Sequence, residues 1–254
     1  MEIIIAIAIL GGLGLIFGLV LSAASKVFYV ETDPRLDQLN EALPGANCGG
    51  YAEAVLAGEA PIGKCASGGT ECAQAMAKIM GVEAGETTRM TAYVQCQGDC
   101  DKTTLDYEYT GIEDCRMLSF VPNGGAKSCN YGCLGYGTCV QVCPFDAIHV
   151  VSGVAVVDKE KCKACGKCVE VCPKHLISLI PYDAKYTVAC SSKDKGPVTM
   201  KDCTVGCIGC QLCKKNCPVQ AVEVTDFNAT IDYDKCEGCG VCMEKCPRKS
   251  IVMH

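Results

Sequence analysis

The sequence predicts an α+β chain with a single N-terminal transmembrane helix, a small helical domain and a C-terminal half built from two copies of one small module. Two observations carry this prediction: an uncharged apolar run near the N-terminus and a cysteine pattern that repeats after 74 residues. The chain has 254 residues, of which 24 are cysteines. Cysteine at nearly a tenth of a chain indicates either a disulfide scaffold or a metal protein. We expect a transmembrane anchor at residues 1–25 and a small helical domain at residues 26–90. The first module, with an upstream cysteine extension, is expected at residues 91–180 and the second at residues 181–254.

The first segment is typical of a membrane anchor. Residues 3–25 carry no charge, and in a helix these 23 residues would span roughly 34 Å, enough to cross the hydrocarbon layer. A signal peptide is the alternative, but its basic leading region is missing, because Glu2 is the only charge before the run. The first cations, Lys26 and Arg35, follow the run. The positive-inside rule therefore predicts a single-pass protein of the cell membrane whose C-terminal part is cytoplasmic.

Three short helices are expected in the second segment. Asp33 can cap a helix that has Pro34 in its first turn and that stops before Pro44. A second helix is predicted around residues 51–56. A third is predicted over residues 70–80, with Thr70 as a cap and Gly81 as the stop signal.

An internal repeat dominates the C-terminal half. A shift of 74 residues places eight cysteines of one copy on eight of the other. The first set is Cys129, Cys133, Cys139, Cys143, Cys162, Cys165, Cys168 and Cys172, and the second is Cys203, Cys207, Cys213, Cys217, Cys236, Cys239, Cys242 and Cys246. A proline follows the last cysteine of every run, at Pro144, Pro173, Pro218 and Pro247. The C-terminal half therefore contains two tandem modules, each of which is itself two-fold.

The cysteine spacing identifies the chemistry of these modules. The run C-x2-C-x2-C-x3-C-P is the signature of two-cluster ferredoxins, in which the fourth cysteine binds the other cluster of the module. It occurs intact at 162–172, 207–217 and 236–246. The exchange rule then predicts three [4Fe–4S] sites: Cys162, Cys165, Cys168 and Cys143; Cys207, Cys210, Cys213 and Cys246; and Cys236, Cys239, Cys242 and Cys217. We therefore expect two ferredoxin-like modules.

The first run of the first module departs from the signature. Tyr136 stands where the repeat places Cys210. The remaining run supplies three ligands: Cys133, Cys139 and Cys172. Cys129 is the nearest spare thiol, and we favour it as the fourth ligand of a [4Fe–4S] cluster. A three-iron cluster is the alternative.

Further cysteines precede the modules. Cys96, Cys100 and Cys115 could bind an additional cluster together with Cys129, although this would compete with the first use of Cys129. The sequence thus predicts at least four clusters and allows five. Cys190 matches Cys115 in the repeat except for a shift of one residue. The roles of Cys72, Cys190 and Cys203 stay open, although Cys190 and Cys203 could be structural or redox-inert.

Other interpretations of the cysteines are weaker. Structural zinc uses two Cys-x2-Cys pairs separated by a longer loop, which the consecutive three-residue steps do not resemble. Disulfides do not persist in a reducing cytoplasm. The sequence has no nucleotide-binding fingerprint and no Ser–His–Asp arrangement, so we expect no catalytic residue and no nucleic-acid partner. Nine lysines against four acids over residues 159–201 could instead steer an acidic electron carrier to the chain.

Several segments together resemble the B subunit of the Rnf complex. They are Leu-Pro-Gly-Ala-Asn-Cys-Gly-Gly, Cys-Gln-Gly-Asp-Cys, Tyr-Glu-Tyr-Thr-Gly-Ile-Glu-Asp-Cys, Cys-Asn-Tyr-Gly-Cys-Leu-Gly and Ala-Cys-Ser-Ser-Lys-Asp-Lys-Gly. The resemblance covers essentially the whole chain. It implies a subunit of an ion-translocating membrane complex that takes electrons from reduced soluble ferredoxin. It also implies membrane and peripheral partner subunits, with NAD or a membrane carrier as the final acceptor.

One departure from this family concerns the N-terminal domain. The Asn-Cys-Gly-Gly segment of the family continues into two further cysteines, whereas here Cys48 is followed directly by Gly-Gly-Tyr-Ala-Glu-Ala. Cys48 and Cys65 fit the first and fourth ligands of the family's N-terminal cluster, but the middle two ligands are absent. We therefore assign no metal to this domain.

The sequence predicts an electron relay. The first alternative is a polyferredoxin subunit of another membrane complex, such as a hydrogenase or dehydrogenase. An alternative from a different class is a zinc-stabilised scaffold without redox activity, which iron content would distinguish from a relay.

Overall fold

A computed structural model describes residues 11–12, 14–15, 17–22, 33–43, 45, 49–65, 68–83 and 88–254 of the chain. The described residues before position 23 are helical, and their side chains are largely exposed. Among the described residues, no helix combines the length and apolarity needed to cross a membrane. The rest of the predicted anchor, residues 1–10, 13, 16 and 23–25, lies outside the described part.

The small helical domain contains α1 (Pro34–Ala42), α2 (Gly49–Leu56) and α3 (Gly69–Met80). Asp33 caps α1 as predicted, since its carboxylate accepts the backbone N–H of Arg35 at 2.9 Å. Gly81 ends α3 in the left-handed conformation (φ 68°), which glycine adopts without steric cost. The start of α3 differs from the prediction: Gly68 occupies the cap without a side-chain bond, and Thr70 lies inside the helix.

The first module is built from two strand pairs and two short helices. Strand β1 (Met90–Val94) pairs antiparallel with β4 (Ile177–Pro181), and the strands β2 (Ile148–Val151) and β3 (Val154–Val157) form a hairpin. Helices α4 (Thr138–Gln141) and α5 (Lys167–Val171) each contain one cysteine of a run. Two short 3₁₀ turns, Met117–Phe120 and Pro122–Gly124, lie in the loop that leads into the module.

The second module repeats this plan. Strand β5 (Tyr186–Val188) pairs with β8 (Ile251–Met253), and β6 (Val222–Thr225) pairs with β7 (Asn228–Ile231). Helix α6 (Gly196–Asp202) precedes the first run, and α7 (Leu212–Asn216) and α8 (Val241–Glu244) correspond to α4 and α5. In both modules the buried side chains of the strands pack against cysteines. Thiols thus replace the large apolar side chains that a small domain would otherwise need.

Direct contacts join the two modules. The backbone N–H of Thr104 donates to Asp202 O at 3.2 Å, and that of Thr204 donates to Lys102 O at 2.8 Å. The ring of Tyr93 in β1 meets the ring of the C-terminal His254 edge to face, with 5.4 Å between their centroids. These contacts fix the position of one module against the other and create the boundary at which several upstream cysteines meet.

Candidate metal centres

Four cavities of the structure are each lined by four cysteines. The four quartets are Cys115, Cys133, Cys139 and Cys172; Cys96, Cys129, Cys190 and Cys203; Cys207, Cys210, Cys213 and Cys246; and Cys143, Cys162, Cys165 and Cys168. In the part of the chain that the structure describes, no three His, Cys, Asp or Glu side chains converge closely enough to hold a single metal ion. The thiols surround cavities instead.

Cys217, Cys236 and Cys239 of the second module lie near Cys242. Burial raises the pKa of Cys242, and the charges of neighbouring Cys236, Cys217 and Cys239 raise it further. These are the four residues that the exchange rule predicts for one site. The structure therefore brings together all three sets of cysteines that the intact runs predict.

The exchange between half-modules has a visible backbone cause. The third residue after the last cysteine of each run takes a left-handed conformation, at Asp146, His175, Gln220 and Lys249, with φ between 50° and 52°. A residue with a Cβ adopts this conformation only at a steric cost, so its recurrence at four equivalent points marks a constraint of the site. The turn follows each Cys-Pro pair at the same distance. It redirects the chain from the local run toward the partner site.

The same turn points a backbone donor at each exchanged sulfur. The N–H four residues after the cysteine donates to Sγ in all four cases: Ala147 to Cys143 at 3.5 Å, Leu176 to Cys172 at 3.5 Å, Ala221 to Cys217 at 3.3 Å and Ser250 to Cys246 at 3.3 Å. Backbone N–H groups aimed at sulfur stabilise negative charge there, and hydrogen bonds to sulfur help set the potentials of iron–sulfur clusters. The segments that follow the four exchanged cysteines thus have the same local structure in both modules.

The cavity of the altered run contains a fourth cysteine that the sequence pattern did not predict for it. Cys115, and not the predicted Cys129, lines the cavity of Cys133, Cys139 and Cys172. Cys115 lies in a long loop that contains the two 3₁₀ turns, and it is only 9% exposed. Cys129 instead lines the separate cavity at the boundary between the modules.

Two side chains hold Cys115 in place. Its backbone N–H donates to Thr138 Oγ1 at 2.8 Å, and that hydroxyl donates to Asp114 Oδ1 at 3.0 Å. Arg116 also bonds the Asp114 carboxylate and holds its pKa well below its usual range. Thr138 is buried, whereas the residue 74 positions later is the exposed Leu212. The polar anchor is therefore specific to the module that lacks the usual cysteine.

The thiols of these quartets sit in apolar surroundings. Burial raises the pKa of Cys139 to about 12 and those of Cys168 and Cys213 to about 11. Thiols with such pKa values stay protonated at neutral pH until a metal displaces the proton. Soft sulfur donors in fours are the ligand set that iron–sulfur clusters require. The quartets therefore fit [4Fe–4S] clusters in both number and chemistry.

The remaining cysteines form no such quartet among the described residues. Cys100 is exposed and lines none of these cavities. Cys65 and Cys72 lie close together in the helical domain, since a Cβ on Gly68 would lie 2.6 Å from Cys72 Sγ and 3.4 Å from Cys65 Sγ. Cys48 lies outside the described residues. The additional cluster predicted from Cys96, Cys100 and Cys115 is not assembled, because these three residues lie in different surroundings.

Comparison with known families agrees with these features. Residues 206–250 match the family described as 4Fe-4S dicluster domain, and residues 155–178 match the 4Fe-4S binding domain. The fold and the cysteine quartets thus define an iron–sulfur protein of the ferredoxin type that carries several [4Fe–4S] clusters.

Similarity to whole proteins is more specific. The chain is 47% identical over 92% of its length to the B subunit of the Na(+)-translocating ferredoxin:NAD(+) oxidoreductase complex of Acetobacterium woodii, 73% of which it covers. It is 41% identical over 98% of its length to the B subunit of the ion-translocating oxidoreductase complex of Methanosarcina acetivorans, 97% of which is covered. The B subunit of the proton-translocating ferredoxin:NAD(+) oxidoreductase complex of Clostridium ljungdahlii is 41% identical over 92% of this chain and 86% of that protein.

The chain belongs to the family of B subunits of ion-translocating oxidoreductase complexes, the Rnf family. It is an electron-transfer subunit of an oxidoreductase complex. The resemblance seen in the sequence is therefore confirmed.

Proposed function

We propose that the chain accepts single electrons from reduced soluble ferredoxin and passes them through the clusters of its two modules to partner subunits of a membrane complex. NAD or a membrane carrier is the final acceptor in this proposal. The observation that carries it is the set of four-cysteine sites in two joined modules. The names of the relatives from Acetobacterium woodii and Clostridium ljungdahlii, which specify ferredoxin and NAD, support the choice of donor and acceptor.

Four clusters are assigned to the modules. Their ligands in this proposal are Cys115, Cys133, Cys139 and Cys172; Cys143, Cys162, Cys165 and Cys168; Cys207, Cys210, Cys213 and Cys246; and Cys217, Cys236, Cys239 and Cys242. When bound, [4Fe–4S] clusters supply one-electron carriers at low potential. The chain's own residues hold them, exclude water with buried Val, Ile and Ala side chains, and donate backbone N–H groups to sulfur.

The surface offers places where a carrier can approach. Cys210 and Cys239 are exposed, so the sites they belong to reach the surface of the second module. Lys214 and Lys215 are exposed on α7, close in sequence to Cys210. Most of the nine lysines between residues 159 and 201 are exposed as well. Positive charge beside an exposed cluster favours the encounter with an acidic carrier, which is the role we assign to these lysines.

Reduced ferredoxin should therefore reduce the isolated, iron-loaded chain directly. We expect the visible absorbance of the oxidised clusters to bleach when the full chain is mixed anaerobically with reduced ferredoxin. High salt should slow the reaction, because the encounter is electrostatic. If the loaded chain stays oxidised in the presence of excess reduced ferredoxin, another donor must serve the complex and the proposed function is wrong.

We further propose that residues 3–25 anchor the chain in the cell membrane and leave the modules in the cytoplasm. The support is the length of the uncharged run, the position of the first cations after it, and the membership of the relatives in ion-translocating complexes. Deletion of residues 1–25 should release a coloured protein that no longer sediments with membranes. Retention of the shortened chain on membranes washed with high salt and carbonate would contradict a single-span anchor.

A further inference from the structure

We propose that an additional [4Fe–4S] cluster binds at the boundary between the two modules, held by Cys96, Cys129, Cys190 and Cys203. These four side chains line one cavity. All four lie outside the segments 155–178 and 206–250 that match known cluster domains, and none belongs to an intact cysteine run. The proposal rests on the electron-transfer function proposed above and adds one site to it.

The two modules contribute equivalent residues to this cavity. Cys129 and Cys203 correspond directly in the 74-residue repeat. Cys96 and Cys190 correspond in the fold, because each comes two residues after the end of the first strand of its module, β1 or β5. The quartet therefore consists of two pairs of equivalent residues, and each module contributes one member of each pair. Cysteines that were merely structural would have no reason to meet in this symmetric arrangement across an interface.

The matched residues also make matched hydrogen bonds. Cys96 Sγ accepts the backbone N–H of Cys133 at 3.4 Å, and Cys190 Sγ accepts the backbone N–H of Cys207 at 3.2 Å. Ser192 donates a second backbone N–H to Cys190 Sγ at 3.5 Å. Backbone donors directed at sulfur are the same feature that the exchanged cysteines of the modules show. The sulfurs of the boundary cavity thus have the surroundings of cluster ligands.

Glycines form part of the cavity wall where the backbone comes closest to sulfur. A Cβ on Gly98 would lie 3.4 Å from Cys203 Sγ, and one on Gly132 would lie 3.7 Å from Cys129 Sγ. Gly206, which is equivalent to Gly132, has no room for a Cβ, which would lie 2.4 Å from Thr199 Cγ2. Gly98 and Gly132 thus let the backbone lie close to the thiols of Cys203 and Cys129, and Gly206 lets it lie close to Thr199.

The position of the cavity connects the two modules. Cys133 and Cys207 are ligands of the neighbouring sites in the proposed function, and each donates its backbone N–H to a sulfur of the boundary quartet. One backbone group therefore separates the boundary site from a cluster site on either side. An electron that arrives from one module can leave to the other, with no bond made or broken.

The test is the iron content of full-length variants loaded anaerobically. The wild-type chain should hold about twenty iron atoms and as many acid-labile sulfides, as five [4Fe–4S] clusters require. Cys190→Ala and Cys203→Ala should each lose about four iron atoms and the same low-temperature EPR component after reduction. Cys100→Ala is the matched control, because this exposed cysteine lines none of the cavities, and it should keep all of its iron.

A wild-type count of about sixteen iron atoms, or full retention of iron and of every EPR component in both variants, would overturn the proposal. If a variant fails to fold, the wild-type count alone decides. The proposed function fails differently: reduced ferredoxin would then leave a fully loaded chain oxidised, whatever the state of the boundary site. Failure of the boundary proposal would instead leave ferredoxin-dependent reduction of the module clusters intact.

Discussion

Cys115→Ala is expected to destroy or degrade one cluster of the first module and to leave the others intact. Cys115 completes the cavity of Cys133, Cys139 and Cys172, so the variant leaves three thiols for four irons. The site should lose about four iron atoms, or one if a three-iron cluster remains. Its EPR component should vanish or change in the same way in Cys139→Ala. The measurement is iron analysis with EPR of the reduced and oxidised protein.

A rescue variant makes this prediction sharper. Tyr136 occupies the position of Cys210 in the other module, and its ring packs edge to face on Tyr109 with 5.7 Å between centroids. Cys115→Ala combined with Tyr136→Cys restores the complete C-x2-C-x2-C-x3-C spacing and should restore the iron. Cys129→Ala should leave this cluster's signal unchanged. If Cys129→Ala instead abolishes the same signal as Cys139→Ala, Cys129 is the fourth ligand and the assignment of Cys115 is wrong.

Cys217→Ala should damage the cluster of Cys236, Cys239 and Cys242 rather than that of its neighbours in sequence. The left-handed turn at Gln220 redirects the chain after the Cys-Pro pair, and the Cys217 thiol lies near Cys242. Cys246 lies in the opposite cavity, with Cys207 and Cys213. About four iron atoms should be lost, with the spectroscopic signature of Cys236→Ala.

Cys207→Ala and Cys246→Ala provide the comparison. These two variants should share one signature, and Cys217→Ala and Cys236→Ala should share the other. If Cys217→Ala has the signature of Cys207→Ala, each run holds its own cluster and the second module is not a two-fold ferredoxin. The equivalent variant in the first module, Cys143→Ala, should behave like Cys162→Ala.

The intact runs could be interpreted from the sequence because their ligands keep a fixed spacing that a small cubane requires. The structure brings together the same three quartets that this spacing predicts. The capped helix after Asp33 was also predictable, since a carboxylate before a proline satisfies a local rule that needs no tertiary contact. These features depend on short stretches of chain.

The partner of Cys133 could not be found in this way, because it depends on an inserted loop. There are 33 positions from Cys96 to Cys129 but 13 from Cys190 to Cys203. The additional residues include Cys115, and they also remove Cys96 and Cys190 from the 74-residue register. Sequence distance favoured Cys129, whereas the folded loop, held by Thr138, delivers Cys115. The feature that reveals the inserted loop is the equivalent position of Cys96 and Cys190, each of which follows a short β-strand by two residues.

The central claim is that the cysteine quartets hold one-electron carriers that reduced ferredoxin reduces. The most direct test is an anaerobic titration of the full chain with reduced ferredoxin, with the electrons taken up counted against iron, sulfide and zinc. We expect negligible zinc, equal iron and sulfide, and up to about one electron for every four iron atoms as the ferredoxin potential is lowered. Stoichiometric zinc, fewer than about twelve iron atoms per chain, or no uptake of electrons by the loaded protein would contradict the claim.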